Sequence, residues 1–546
     1  MAASVVGTAR ALTQDLAVGA RFAWGVARFL RHPIDAAQAR AALQNRLARR
    51  EADFVDLVRH GIYANPRSPY ARLLAHAGCE PGDFERLVRA DGVDGALHAL
   101  YRAGVYLTVD EFKSRRPVER SGLQFTVDPA DLRFPGMAVH LSTHSSGSRG
   151  AGTAVPIDFA TIRDRLVNTC LVVETRGGGS WPKAIWGSPG GSVVTAVRFS
   201  GFGAPLTRWF LQIDPRAPGL HRNYRRSILA LRAGSLAARR PLPWPEYVPL
   251  DDPLPIVRWM TTERAAGRTP HLCWAYPSSA VRLAEAALAA GLGLEGVQMT
   301  LLGEPITEAR LAAIRRAGAH AVPAYGSGEA GLIANGCLAP AAPDDVHLYR
   351  DLQAMIQPGI AAARPGLPRK ALLISSLRPT AALVLLNVSM GDQAEMDERG
   401  CGCPLAELGW TSHLSGIRSY EKLTAGGMTF LDTDVIRVLE DVLPARFGGG
   451  PTDYQLVEEE GPSGRPHVRL LVHPAVGPFD PAVMVDAFLT AIGGGSGVER
   501  IMELEWRQSG ILEVRRQPPR LAPSGKISHL HVEPRAVRGA AAGGAA

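Results

Sequence analysis

At 546 residues the chain exceeds one ordinary hydrophobic core and is expected to hold two to four domains. Its net charge of +8 is spread as single arginines and short pairs, with no long basic run and no basic stripe interleaved with aromatics. That argues against nucleic-acid binding; an anionic small substrate, or a plain bias toward arginine, accounts for the excess equally well. No run of 18 apolar residues occurs, no secretory pattern opens the chain, and six cysteines over this length are not a disulfide framework, so a cytoplasmic protein is expected.

Residues 8–50 read as helix, with Leu16, Ala20, Ala23, Val26, Ala27 and Leu30 near one face. Packing on the main body is the simpler reading; Arg21 and Arg28 leave a membrane-surface helix as the alternative. Residues 51–120 continue helical, with breaks at "NPRSP" and "CEPGD". Residues 137–330 alternate short apolar strands with helical stretches, which predicts an α/β architecture. Within it, "HLCWAYPSSAVRLAEAALAAGLGL" predicts a strand over 271–275, a turn at Pro277-Ser278-Ser279 and a helix stopped by Gly291. "ALLISSLRPTAALVLLNV" predicts two strands joined at Arg378-Pro379-Thr380. Residues 426–535 read strand, helix, strand pair, helix, strand: a small α+β domain. The tail from 536 is low in complexity and expected to be disordered.

Three loops have the composition of nucleotide chemistry. In "STHSSGSRGAGTAVP", Ser145, Ser146, Gly147, Ser148, Gly150, Gly152 and Thr153 let backbone N–H groups and hydroxyls converge on an anion. The loop lacks the G-x-x-x-x-G-K-[ST] pattern, and a plain connector has the same composition. "VPAYGSGEAG" ends an apolar stretch in a tight turn that presents Tyr325, Gly326, Ser327 and Glu329. Tyr325 could stack on a base and Glu329 could hold magnesium; the alternative is a surface loop with one solvated acid. In "NVSMGDQAEM", Asp392 at a strand end suits the two hydroxyls of a ribose, although Gly-Asp is also a common turn. Only five of the 60 basic residues are lysines, and one of them, Lys526, lies in "LAPSGKISHL". Lysine is a mobile point charge where arginine is a planar fork.

The order and spacing of these loops resemble the adenylate-forming superfamily, and within it most nearly the phenylacetate–CoA ligase and coenzyme F390 synthetase-like branch, over about residues 51–532. "SPYARLLAHAGCEPGDF", "HLCWAYPSSAVRLAEA", "LLGEPIT" and "GCGCP" followed by "LSGIRSYEKLTAGGMTF" carry the resemblance further. It implies a helical extension at 1–50, an adenylation domain at 51–420 and a small mobile α+β lid domain at 421–535. It implies that Ser145 to Gly152 wrap the ATP phosphates and that Gly303, Glu304 and Pro305 line the adenine pocket. Tyr325 would pack on the base, Glu329 would bind Mg2+, Asp392 would hold the ribose assisted by Arg418, and Tyr420 would form the hinge. Lys526 would be the catalytic lysine, stabilising the charge that gathers between carboxylate and α-phosphate. Cys337, His347, Cys401 and Cys403 resemble a zinc site of this branch; three thiolates and an imidazole suit structural Zn2+.

The implied activity is ATP-dependent conversion of a carboxylic acid to acyl-AMP, followed by transfer to a thiol of CoA or of a carrier protein's phosphopantetheine. The acid is expected to be aromatic or apolar, by analogy and from Trp181, Trp186, Trp209 and Trp274, any of which could equally be core. Transfer to an amine or a protein side chain is the second enzyme reading. A degenerate nucleotide-binding scaffold is the third. The scaffold reading draws on the altered phosphate loop, which has no lysine and is interrupted by Arg149, and on Gly328 at a hydroxyl position; Lys526 in "PSGKI" argues against it.

Overall fold

The computed structural model describes residues 19–532 except 138, 145–153, 188, 217–221, 251, 304–305, 307, 360–366, 420–423, 426–427, 430–434, 436–437, 450–452, 461–465, 495–497 and 521–529. It is a mixed α/β protein built on one twelve-stranded sheet, with a smaller four-stranded α+β domain at the C-terminal end. In chain order the large sheet comprises β1 (Lys183–Gly187), β2 (Leu206–Leu211), β3 (Pro245–Tyr247), β4 (His271–Ala275), β5 (Gln298–Leu301) and β6 (His320–Ser327). It continues with β7 (Gly331–Gly336), β8 (Val346–Leu348), β9 (Gln353–Ile356), β10 (Ala371–Ser376), β11 (Val388–Glu398) and β12 (Ser412–Ser419).

One half is parallel and runs β3-β2-β1-β4-β5-β6; the other is antiparallel and runs β7-β8-β12-β11-β10-β9. β1 and β4 are buried along their whole length, as strands covered on both faces must be. Helices Phe159–Glu174 and Pro189–Phe199 cover one face, and Leu254–Ala265, Pro277–Ala289 and Glu308–Arg316 the other. The helices between residues 50 and 112 pack on the antiparallel half.

β6 joins the halves. Its residues 320–323 pair parallel with β5, and its residues 324–327 pair antiparallel with β7. The antiparallel half curls back toward this strand. β11 stands four ladder steps from β6, about 19 Å in a flat sheet, yet Tyr325 and Asp392 are in hydrogen-bond contact.

Several expectations are corrected. The N-terminal helical stretch is broken at Pro33, and a new helix, Ala36–Ala48, starts from a capping box between Asp35 and Gln38. In the first segment Phe22, Val26, Ala27, Phe29 and Leu30 are buried, whereas Ala20 is exposed and Leu16 lies outside the described residues. Phe159 stacks on Phe22 and packs on Phe29, so this face is covered by protein. Pro277, expected in a turn, is the first residue of its helix, where a missing N–H costs nothing. The second strand expected after Thr380 does not form before Val388. Residues 382–386 are buried, but they are satisfied by other partners, such as the Val384 N–H on the Leu132 carbonyl. Asn387 then turns the chain at φ +51 while its amide binds the carbonyls of Leu97 and Val105.

The small domain holds β13 (Tyr454–Glu460), β14 (Pro466–Val472), β15 (Leu512–Arg516) and β16 (Leu530–Val532), with helix Pro481–Ile492 as expected. A further helix, Val498–Ser509, was not anticipated from "VERIMELEWRQS"; its buried residues Ile501 and Trp506 are sparse among charges. No helix among the described residues is long and apolar enough to cross a membrane.

Candidate functional site

The carboxyl edge of the parallel strands is where an open α/β sheet receives ligands. Of the expected nucleotide residues, Gly303, Tyr325, Gly326 and Ser327 lie along it. Gly303 follows β5 at φ +92, Tyr325 and Gly326 end β6, and Glu329 sits in the turn between β6 and β7. The Tyr325 hydroxyl donates to Asp392 Oδ2 at 2.9 Å. The Ser327 hydroxyl accepts the Ala330 N–H at 3.0 Å and so closes the turn. Gly326 is required there, because a Cβ would stand 2.4 Å from the Gly331 carbonyl.

Glu329 is 6% exposed and is ion-paired with Lys113, itself 8% exposed. Lys113 ends the helix Val109–Phe112, and the next residue, Ser114, takes φ +60. A left-handed serine is strained, and such strain is held only where surrounding structure fixes it. No sequence pattern pointed to Lys113, because it lies more than two hundred residues from its partner.

Arg418 is not brought to Asp392. In the β11–β12 ladder Asp392 stands opposite Ser419 and Arg418 opposite Gln393, so the two side chains point to opposite faces. Arg418 Nη1 instead donates to Asp344 Oδ2 at 2.9 Å, and Asp344 also accepts the N–H groups of Gly416 and Ile417. Ser145, Ser146, Gly147, Ser148, Gly150, Gly152, Thr153, Glu304, Pro305, Tyr420 and Lys526 lie outside the described residues. The strands flanking the Ser/Gly loop, Leu141–His144 and Ala154–Ile157, pair as a hairpin.

A second feature of the edge went unread in the sequence. The parallel strands run in two directions from β1 and β4, which opens a crevice at their carboxyl ends. The Trp274 indole lies across it, 2.6 Å from a Cβ built on Gly187 and 2.7 Å from one on Gly191, so both positions need glycine. Beside it the Gln212 amide donates to the Ser279 hydroxyl at 2.9 Å, while the buried Gln212 Oε1 has no partner among the described residues. The signal was "GSPGGS", a glycine-rich run between a strand and a helix. Of the four tryptophans considered, Trp186 and Trp209 are fully buried core.

The cysteine–histidine residues do converge. One donor atom each from Cys337, His347, Cys401 and Cys403 lies within 4.8 Å of all the others. Cys337 Sγ and Cys403 Sγ are 3.9 Å apart, close to the edge of about 3.8 Å that a tetrahedron with 2.3 Å zinc–sulfur bonds requires. His347 Nε2 faces Cys403 Sγ at 3.1 Å and Cys401 Sγ at 3.6 Å, and its Nδ1 meets the Trp410 carbonyl at 2.6 Å. That carbonyl orients the ring so that Nε2 is the ligating atom. Burial holds His347 down at about 4, which keeps the imidazole neutral as a ligand must be. The Cys403 thiol is lowered despite its burial, because backbone N–H groups at Leu338 and Ala406 bind its sulfur. The donor set therefore fits zinc. A neighbouring trio, Cys337, Asp345 and His413, shares one of these thiols, but its Asp345 is already engaged by Arg399 and His413.

No protein-family model and no curated protein matches the chain. Among solved structures it is similar to the amide bond synthetase McbA from Marinactinospora thermotolerans, at 16% identity and TM-score 0.41, covering 72% of this chain and 68% of that one. It is also similar to 2-hydroxyisobutyryl-CoA ligase in a postadenylation state, at 15% identity and TM-score 0.42 over 92% and 91% of the two chains. A third similar structure is the o-succinylbenzoate CoA synthetase MenE from Bacillus subtilis, at 13% identity and TM-score 0.41 over 72% and 68%. Likeness at this level carries no argument about function.

Proposed function

We propose that the protein activates a carboxylic acid with ATP. A carboxylate oxygen attacks the α-phosphorus, the bond to the bridging oxygen of pyrophosphate breaks, and acyl-AMP forms. The acyl group then passes to a thiol of CoA or of a carrier protein. The observation that carries this reading is the meeting of Tyr325 and Asp392 across four ladder steps, beside the Glu329 turn and in line with Gly303. Tyr325 offers its ring to a base while its hydroxyl orients Asp392, whose second oxygen is left for a ribose hydroxyl. On this reading Lys526, carried by the small domain, brings the cation to the α-phosphate. The phenylacetate–CoA ligase branch, with an aromatic or apolar acid, is the finer form of the proposal, and "GCGCP" supports it through the geometry of Cys337, His347, Cys401 and Cys403. Cys337, His347, Cys401 and Cys403 would hold zinc in a structural role, tying β7, β8 and the Cys-x-Cys turn together.

Glu329 is the acid that would hold magnesium, and a magnesium ion supplies charge neutralisation of the phosphates when bound. Lys113 already neutralises Glu329, so metal binding there requires the ammonium to move aside. The same pair favours the scaffold alternative, nucleotide binding without turnover. Both readings require ATP to bind at Asp392, and that is tested first. Asp392→Ala is expected to weaken ATP binding about tenfold or more in titration calorimetry, the worth of a charge-assisted hydrogen bond. Unchanged affinity would remove Asp392 from the site and with it the nucleotide reading.

A further inference from the structure

The sheet face beneath helices Phe159–Glu174 and Pro189–Phe199 holds two guanidinium groups that no acid partners among the described residues. Arg165 Nη2 donates to the carbonyl of Ala330, the residue after Glu329, at 3.1 Å. Its guanidinium presses on Gly331, where a Cβ would stand 2.0 Å from Cζ. Arg198 lies on the adjacent helix, and its buried Nε has no hydrogen-bond partner among the described residues. Neither arginine forms an ion pair among those residues. The acid next in the chain, Asp164, is committed to Arg46 and Arg378.

Both groups are surrounded by protein yet keep partly accessible surface, as groups lining a cleft do. Burial, then the charge of Arg198, pulls Arg165 down to about 10. Like charges enclosed without a counter-charge are costly, and an anion between them removes the cost. The pair lies on the sheet face that carries Ala324, Leu332 and Cys273. Tyr325 packs on the opposite face. What the arginines bind is therefore not the base or the ribose.

We propose that Arg165 and Arg198, beside the Glu329 turn, form an anion subsite for part of the acid, and that the acid carries, besides the carboxylate that reacts, a second anionic oxygen group of the carboxylate type. The planar fork of arginine matches a carboxylate in two parallel hydrogen bonds. This inference rests on the adenylation reading, and it revises the expectation of a purely apolar acid.

The test uses the full chain without nucleotide. Thermal stabilisation is measured with dicarboxylates (succinate, phthalate, isophthalate, terephthalate) against butyrate and benzoate, for wild type, Arg198→Gln and Arg198→Lys. At least one dicarboxylate is expected to stabilise wild type where its monocarboxylate counterpart does not. Arg198→Gln should then need about tenfold more of it, and Arg198→Lys an intermediate amount. No discrimination between the two acid classes, or equal response of wild type and Arg198→Gln, overturns the proposal. So does a tenfold loss of ATP or pyrophosphate binding in Arg198→Gln with dicarboxylate binding intact, because the arginines would then serve nucleotide phosphate. A dicarboxylate that binds through Arg198 yet supports no ATP–pyrophosphate exchange leaves the subsite standing and sinks the adenylation reading.

Discussion

Lys113 and Lys183 are two of only five lysines in the chain, and both are buried in its large domain. Lys113 neutralises Glu329. Lys113→Met takes this cation away from a buried carboxylate, so it is expected to cost about 3 kcal/mol in denaturant unfolding. Millimolar magnesium should recover part of the loss if Glu329 is a metal ligand; no recovery would remove it from that role. Lys183 has no acid in contact among the described residues. Its ammonium donates to the carbonyls of Phe199 and Phe202 and lies 3.6 Å from the Phe202 ring centre. Burial pulls it from 10.5 to about 8. In the unfolded chain it stays protonated to about 10.5, so between the two values the unfolded state holds more protons and stability rises with pH. From pH 7.5 to 9.5 this lysine alone contributes a rise of about 2 kcal/mol. Urea unfolding at the two pH values should show a rise that Lys183→Met flattens; an identical pH response in the variant would show that Lys183 is not the titrating group.

At the scale of elements, the four proposed zinc ligands show how distant chain segments converge. Cys337 follows β7, His347 lies in β8, and Cys401 and Cys403 lie between β11 and β12, which the sheet order brings side by side. About one zinc per chain is expected by elemental analysis, and Cys403→Ser should lose it and lower the Tm by roughly 5 °C or more. Full zinc content in that variant would contradict the assignment. The resemblance to the phenylacetate–CoA ligase branch singled out these four residues, since their spacing along the chain is too loose to do so alone. The second apolar run before Asn387 was read wrongly for a physical reason: burial without alternation does not say whether a ladder or loop partners satisfy the backbone. Helix Val498–Ser509 is hard to read in the sequence because five charged residues are interspersed among its five apolar ones. Lys113, Arg165 and Arg198 were illegible because their meaning is tertiary: a missing or distant counter-charge leaves no trace in local spacing.

At the scale of the molecule, an α/β body with a smaller α+β domain was foreseen from the change in element pattern near residue 426, and the sheet order gives it physical sense. The parallel half offers a carboxyl edge and the curled antiparallel half brings Asp392 back to it. The small domain carries the segment containing Lys526, for which adenylation gives a reason: a cation that can arrive for one step and leave for the next. The most direct test of the account is ATP–pyrophosphate exchange with a panel of mono- and dicarboxylic acids, on wild type and Lys526→Ala. Adenylation predicts exchange with at least one acid and a loss of about a hundredfold or more in the variant, the scale of removing one preorganised charge from a transition state. Measurable ATP binding without exchange for any acid, or exchange indifferent to Lys526, would contradict it.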